Sequence, residues 1–239
     1  MPTFSAFETS GPEAKSRPLG SLGLWRTVDR SVYLSILSHM PTDRARLLRM
    51  ARSRPFLSTG EVTTAGIHTE QLTRLVADGT LERVVRGRYR LAAADVGEHH
   101  GLVLASLAAP AGVICLLSAL SFHGIGTQLP AEVWIAIERG KTAPQLRTPR
   151  LRVVRYSGPA FAEGIEQHLI EGQPIRVYGV AKTLADLFKA RNQVGLDVAV
   201  EALREAWRNH RFAMADLDRA TRACRVERVM RPYLEAVTA

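Results

Sequence analysis

The chain has only two cysteines among its 239 residues. Cys115 and Cys224 stand alone, with no second cysteine at the CxxC spacing that zinc ribbons and redox dithiols use. This excludes a disulfide framework and a cysteine-based zinc site. Cys115 lies inside the apolar run GVICLL, which is typical of a buried thiol, and a reducing cytoplasm is the predicted location.

Long apolar runs are also missing. The nearest candidate for a membrane span, residues 102–125, is interrupted by Pro110, several glycines, Ser118 and His123. A membrane span needs about 18 or more apolar residues in succession. We therefore expect this segment to belong to a protein core and predict no membrane partner.

Sequence motifs of catalysis are absent as well. The chain contains no G-x-x-x-x-G-K-[ST] loop, no G-x-S-x-G elbow and no H-E-x-x-H pair. Four histidines lack a cysteine or carboxylate at ligand spacing and are interpreted as structural: His99, His100, His123 and His168. His123, just before Gly124, is expected to serve the end of a helix.

One pair of charged residues remains a possible catalytic group. Lys182 and Asp186 lie one helical turn apart, at the i,i+4 spacing of an ordinary helix pair that docks on neighbouring strands. We prefer that structural interpretation. The sequence therefore predicts no enzyme, no catalytic residues, no metal and no cofactor.

The most informative segment that is present runs from Phe56 to Leu91. Ser58 followed three residues later by Glu61 is a capping box and predicts the start of a helix. Ala65-Gly66 predicts a sharp turn after two helical turns, because glycine adopts the positive φ that ends a helix. A second helix opens at His68 or Thr69.

The second helix has the pattern of a DNA recognition helix, and a hairpin follows it. Leu72, Leu75 and Val76 form its apolar face, whereas Glu70, Thr73, Arg74 and Ala77 lie opposite. After Asp78-Gly79, apolar residues predict two strands around Arg86-Gly87. The order of elements predicts a winged helix-turn-helix. Its predicted DNA-binding residues are His68, Thr69, Glu70, Thr73 and Arg74 on the helix, and Arg83, Arg86, Arg88 and Arg90 on the wing.

Positive charge is concentrated in this region. Residues 41–91 hold ten arginines, no lysine and five acidic residues, a net charge of +5 out of +9 for the whole chain. The sequence pI is about 10.2. Such a balance favours a phosphate-rich partner, here double-stranded DNA.

The remaining segments predict an α+β protein. We interpret residues 1–26 as a flexible leader and residues 27–95 as the winged helix-turn-helix domain, with a helix over 28–40; Met40 is an alternative translation start. Residues 96–239 are predicted to form a larger α+β domain with a small mixed sheet and a C-terminal run of helices. The predicted strands are 132–138, 151–156, 165–170 and 174–178, and residues 112–117 begin as a strand. Leu196, Val200, Leu203 and Trp207 are predicted to face inward from one of the helices.

Three segments carry a family resemblance: Leu57–Leu91, then LLSALSFHGIGTQLPAEVWIAI (Leu116–Ile137) and PIRVYGVAKTLADLFKARNQVGLDVAVEALREA (Pro174–Ala206). Their motifs RGRYRL, SALSFHG and AKTLADLF occur in the order seen in AbiEi-type antitoxins, and the chain resembles that family over about residues 44–238. These proteins are the transcriptional regulators of abortive-infection toxin-antitoxin systems in bacteria.

The resemblance implies an autorepressor that binds inverted repeats in its own promoter through a winged helix. It also implies a C-terminal domain that neutralises a nucleotidyltransferase-like toxin in the type IV manner, often without a stable complex. Two alternatives remain open: a stand-alone winged-helix regulator, and a protein-interaction module without a cognate toxin.

Overall fold

The computed structural model describes residues 42–238, and the chain from Asp43 onward forms one compact unit. The predicted leader and the predicted helix over 28–40 lie outside the described residues. Helices and two small sheets alternate along the chain, so the predicted mixed α+β class is confirmed. No helix within residues 42–238 is long and apolar enough to cross a membrane.

Residues 43–91, which we call the helix–hairpin segment, contain three helices and a three-stranded antiparallel sheet. The elements are α1 (Asp43–Arg52), β1 (Leu57–Ser58), α2 (Thr59–Thr64), α3 (Glu70–Ala77), β2 (Leu81–Val85) and β3 (Arg88–Leu91). The strand order is β1-β3-β2. The predicted pair of short helices and the predicted hairpin are both confirmed.

Local chemistry sets both ends of α2. The Ser58 hydroxyl accepts from the Glu61 amide at 3.1 Å, and the Glu61 carboxylate accepts from the Ser58 amide at 2.7 Å, which confirms the capping box. At the other end, the Ile67 amide donates to the Val62 carbonyl and the Gly66 amide to the Thr63 carbonyl. This is a Schellman ending, with Gly66 at φ +71° and Ile67 buried against the helix.

The hairpin turns at Arg86-Gly87 and carries a bulge. The pairing register shifts between Arg83 and Val85, so Val84 is the extra residue on β2. Gly87 has φ +72°, and its carbonyl accepts from the Thr59 amide at 3.0 Å. The tip of the hairpin is therefore attached to the start of α2.

The second sheet is mixed, as predicted, with the order β6-β5-β4-β8-β7. Its strands are β4 (Val113–Ile114), β5 (Val133–Glu138), β6 (Leu151–Tyr156), β7 (Ile165–Ile170) and β8 (Gln173–Tyr178). Strand β5 pairs parallel with β6, and β4 pairs parallel with β8, whereas the other two pairings are antiparallel. The four longer strands agree with the predicted ranges to within a residue.

Helices flank and follow this sheet. They are α4 (His100–Ala108), α5 (Leu116–Phe122), α6 (Pro159–Ala162), α7 (Val180–Lys189), α8 (Arg191–Val194), α9 (Leu196–Arg208), α10 (Met214–Cys224) and α11 (Glu227–Thr238). Helix α7 is buried from Ala181 to Phe188, since it contacts α5, α9, α10 and α11.

The predicted inward face of α9 is only partly right. Leu203 is buried, but Leu196 is 38% exposed, and Val200 and Trp207 are half-buried. The buried stripe is instead Val198, Ala199, Ala202, Leu203 and Ala206. Three of these five residues are alanines, and α9 contacts α7.

The helix–hairpin segment has its own apolar core and also contributes residues to the core of the region that follows it. Leu47, Leu57, Val62, Leu72, Leu75 and Leu81 are among the residues of the first core. Phe56 and Val84, from the same segment, pack in a second core with α4 and the five-stranded sheet. This sharing explains why residues 43–91 and the rest form one compact unit.

Candidate nucleic-acid interface

Helix α3 presents a polar face to solvent and an apolar face to the core. Leu72 and Leu75 are fully buried and Val76 is half-buried, as the periodicity predicts. All the predicted recognition residues are exposed: His68, Thr69, Glu70, Thr73 and Arg74. The structure therefore exposes Glu70, Thr73 and Arg74 on the free face of α3, while Thr69 is the N-cap residue of the helix and His68 precedes it.

On that surface Arg74 is paired with Glu70. The guanidinium lies 2.7 Å from the carboxylate at i,i+4 spacing, with both side chains more than half exposed. An exposed helix pair of this kind contributes about 0.3 to 0.5 kcal/mol. The pair is weak enough to open when either group meets a better partner.

Two arginines of α1 hold the turn and the end of α3 in place. Arg46 donates to the Ala65 carbonyl at 2.7 Å, and Arg44 pairs with Asp78 at 2.7 Å. Hydrogen bonds from Thr80, with Arg44 beside them, lower the pKa of Asp78 to about 2. Neither arginine was predicted as a positioning residue. Their only sequence signal was an arginine-rich helix before the turn.

The hairpin arginines do not share one environment. Arg83 and Arg86 are exposed and Arg88 is half-buried, whereas Arg90 is only 8% exposed. Arg90 donates to the Glu82 carboxylate and, at 3.3 Å, to the Ala94 carbonyl. The prediction that Arg90 decorates the outside of the wing is therefore wrong.

Strand alternation explains the position of Arg90. Leu81 and Leu91 face the core of the helix–hairpin segment, so the neighbouring residues Glu82 and Arg90 point to the other face of the hairpin. That face packs against α4, where Val84 joins the second core. A side chain at position 90 is thus covered by the rest of the protein.

The rings of His100, His123 and His168 each have one polar partner within the protein. His123 caps α5, and its Nε2–H donates to the Tyr178 carbonyl at 2.8 Å, so it serves the end of β8 as well as its own helix. Burial lowers the pKa of His123. His100 lies 2.8 Å from Glu171, and His168 lies 3.3 Å from Glu166. Among residues 42–238 no three His, Cys, Asp or Glu side chains form a group able to hold a metal ion.

Lys182 and Asp186 lie in the centre of the C-terminal helices. Their side chains are 1% and 0% exposed, with Nζ 2.5 Å from Oδ2. Cys224 donates its thiol to the other carboxylate oxygen at 3.2 Å, and the ammonium lies 4.0 Å from the centre of the Tyr178 ring. Burial raises the pKa of Asp186 against the opposing effect of Lys182, and raises that of Cys224 to about 12. The closed surroundings favour a structural role for this pair.

The helix–hairpin segment matches a known protein family. Residues 45–92 match the family described as "Transcriptional regulator, AbiEi antitoxin". The predicted resemblance is confirmed for this segment, which contains every proposed DNA-binding residue. The family is one of regulatory antitoxins rather than enzymes. The match does not extend to the segments after residue 92, where the resemblance stays a prediction.

A solved structure resembles a larger part of the chain. The crystal structure of the RV2827C protein from Mycobacterium tuberculosis superposes with a TM-score of 0.59 at 16% sequence identity, covering 82% of this chain and 78% of that one. At this identity the likeness concerns the fold alone. No curated protein matches the chain.

Proposed function

We propose that the helix–hairpin segment is a winged helix-turn-helix that binds double-stranded DNA, with α3 in the major groove and the β2–β3 hairpin as the wing. One observation carries the proposal: the side chains that α3 leaves exposed are all short or polar. The match of residues 45–92 to a transcriptional regulator family supports the same function. The excess of arginine in this segment supplies the attraction for phosphate.

Helix α3 is proposed to read the bases. Arg74 has the donor geometry for a bidentate contact to guanine, and Glu70 for accepting from cytosine. Thr69 and Thr73 offer a hydroxyl or a methyl group, and His68 lies at the exposed start of the helix. Because Arg74 and Glu70 pair with each other in the free protein, DNA binding would exchange one weak contact for two base contacts.

The wing is proposed to hold phosphates or to enter the adjacent minor groove. Arg83, Arg86 and Arg88 carry this role. Arg90 does not, because it is buried and paired with Glu82. Contacts of this kind position the protein on DNA without reading its sequence.

Two arginine variants separate reading from positioning. Arg74→Ala should cost about 1 to 3 kcal/mol of binding free energy and relax specificity at one base position, whereas Arg88→Ala should weaken binding to all sequences and reduce the salt slope by about one. Footprinting on the promoter region of its own gene, followed by gel-shift titration at several salt concentrations, measures both effects. Arg231→Ala is the matched control, since Arg231 is exposed on α11, which packs against α7, α9 and α10.

The outcomes distinguish the orientation of α3 from DNA binding itself. Unchanged affinity of the Arg74→Ala variant for the native promoter would show that α3 is oriented differently. Wild-type affinity in both variants would exclude this face as the DNA-binding surface.

The chain is further proposed to repress its own operon from inverted repeats and to neutralise a nucleotidyltransferase-like toxin through residues 96–239. This part rests on the family description and on the predicted resemblance of the later segments. Co-expression of the full chain with the neighbouring gene, scored by growth, tests it. If the Arg74→Ala variant no longer binds DNA but still rescues growth, neutralisation is separate from repression. A neighbour that is not toxic would favour the stand-alone regulator.

A further inference from the structure

A cleft of about 710 Å³ lies between the hairpin and the loop that precedes β6. We call it the hairpin cleft. Its basic lining comes from both sides: Arg83, Arg86 and Arg90 from the hairpin, and Arg147 from the loop. Its floor is apolar, with Val84, Val85, Leu104 and Leu146 among the lining residues. The volume falls in the range of small-molecule sites, about 300 to 1,000 Å³.

The charges in this cleft are not balanced. Glu82 is the only acidic residue of the lining, and Arg90 already neutralises it. Within residues 42–238, Arg83, Arg86 and Arg147 form no ion pair and donate no side-chain hydrogen bond. Arg83, Arg86 and Arg147 are exposed to solvent, and three like charges along one cleft give it a positive potential.

The two sides of the cleft are fixed relative to each other. Val84 packs in the core that contains α4, which anchors the hairpin. On the loop side, Pro149 lies close to Gly101 of α4: a Cβ atom added at Gly101 would lie 3.4 Å from the Pro149 Cγ. Arg147 is two residues before Pro149, which packs on α4. Arginines from both sides therefore line the same cleft.

We propose that the hairpin cleft is a phosphate-binding site in which Arg147 completes the set begun by Arg83 and Arg86. Guanidinium groups bind phosphate through paired hydrogen bonds, and several around one cleft suit a group with more than one negative charge. The phosphate belongs either to a DNA backbone that passes the wing or to a free phosphorylated molecule. In the first case the inference rests on the proposed function, and in the second it stands without it.

Two binding experiments on the full chain distinguish these sources. Inorganic pyrophosphate is titrated by calorimetry against the wild type, Arg147→Ala and the control Arg155→Ala, which removes an exposed arginine of β6 outside the cleft. The same three proteins are titrated with promoter DNA at several salt concentrations. The Arg147→Ala change should weaken binding of the relevant phosphate about tenfold, as expected when one charge-assisted contact is lost. Arg155→Ala should leave it unchanged.

Each outcome assigns or removes the site. Pyrophosphate binding that depends on Arg147 supports a free ligand, even if the chain fails to bind DNA. No pyrophosphate binding, with DNA affinity and salt slope both reduced only in the Arg147→Ala protein, supports DNA phosphate. Equal effects of the two variants, or no effect of Arg147→Ala in either titration, overturn the site. In that last case DNA binding that still depends on Arg74 leaves the proposed function intact.

Discussion

Several arginines of the helix–hairpin segment are exposed, whereas Lys182 and Asp186 of α7 are buried. Arg74, Arg83 and Arg86 face solvent, and the one pair among them, between Arg74 and Glu70, is weak. Lys182 and Asp186 are sealed in the core and satisfy each other with help from Cys224. The difference is that these three arginines stay at the surface, while the Lys182–Asp186 pair serves the fold.

The largest expected effect is in the buried pair. Asp186→Ala leaves the Lys182 ammonium without its anion in a closed core, so we expect a loss of about 3 to 5 kcal/mol in the free energy of unfolding. The double replacement Lys182→Met with Asp186→Leu should recover most of this loss, because it removes both charges. Chemical denaturation measures all three proteins. A single variant as stable as the wild type would remove the contrast between the two regions.

A second test compares a buried and an exposed arginine of the same hairpin. Arg90→Ala removes charge-assisted hydrogen bonds to Glu82 and Ala94 and should cost about 1 to 3 kcal/mol of stability. Arg86→Ala, two residues beyond the bulge and exposed, should change stability by less than about 0.5 kcal/mol. Thermal unfolding and DNA titration of both variants should therefore give opposite rankings. Equal stabilities would mean that the buried position of Arg90 contributes little.

The capping box provides a smaller test of how firmly the start of α2 is held. Ser58→Ala removes the side-chain acceptor for the Glu61 amide, and we expect a loss of about 1 kcal/mol. Thr64→Ala, at the exposed end of the same helix, is the matched control. Denaturation at neutral pH compares the two. An equal response would show that tertiary packing rather than the cap holds α2.

The smallest effect concerns His123 and pH. Because burial lowers the pKa of His123 below its ordinary value of 6.5, the unfolded chain takes up a proton before the folded one does. The folded state keeps its full stability while the His123 imidazole is neutral, above the pKa of this group in the unfolded chain. That stability is lost as the pH falls below about 6.5. The urea midpoint of the wild type should therefore drop between pH 7.5 and pH 5.5 by more than that of His123→Gln. Identical drops would assign the pH dependence to other groups.

Features that depend on neighbours in the sequence were predictable. The Ser58–Glu61 box, the turn at Gly66 and the strand bounds 151–156 and 165–170 follow from local hydrogen bonding, glycine and apolar alternation. The exposed face of α3 followed from the positions of Leu72 and Leu75, since a helix places every third and fourth residue on one side.

Features that depend on distant packing were not predictable. Arg90 was placed wrongly because alternation alone does not say which face of the hairpin α4 will cover. Leu196 was expected inside, yet the stripe of small residues around Ala202 proved to be the contact face of α9. The roles of Arg44 and Arg46 depend on contacts 34 and 19 residues away along the chain.

Capping, turns and periodicity act over a few residues, so the arginine-rich pair of short helices, its hairpin and the α+β region that follows could all be predicted from the sequence. Packing between distant parts of the chain set which charges are exposed and which are buried. Arg74 and Arg83 are exposed to solvent, whereas Arg90, Lys182 and Asp186 are enclosed. Packing made that choice, since a buried charge must find its counter-charge within the protein while an exposed one is stabilised by water until a partner replaces it.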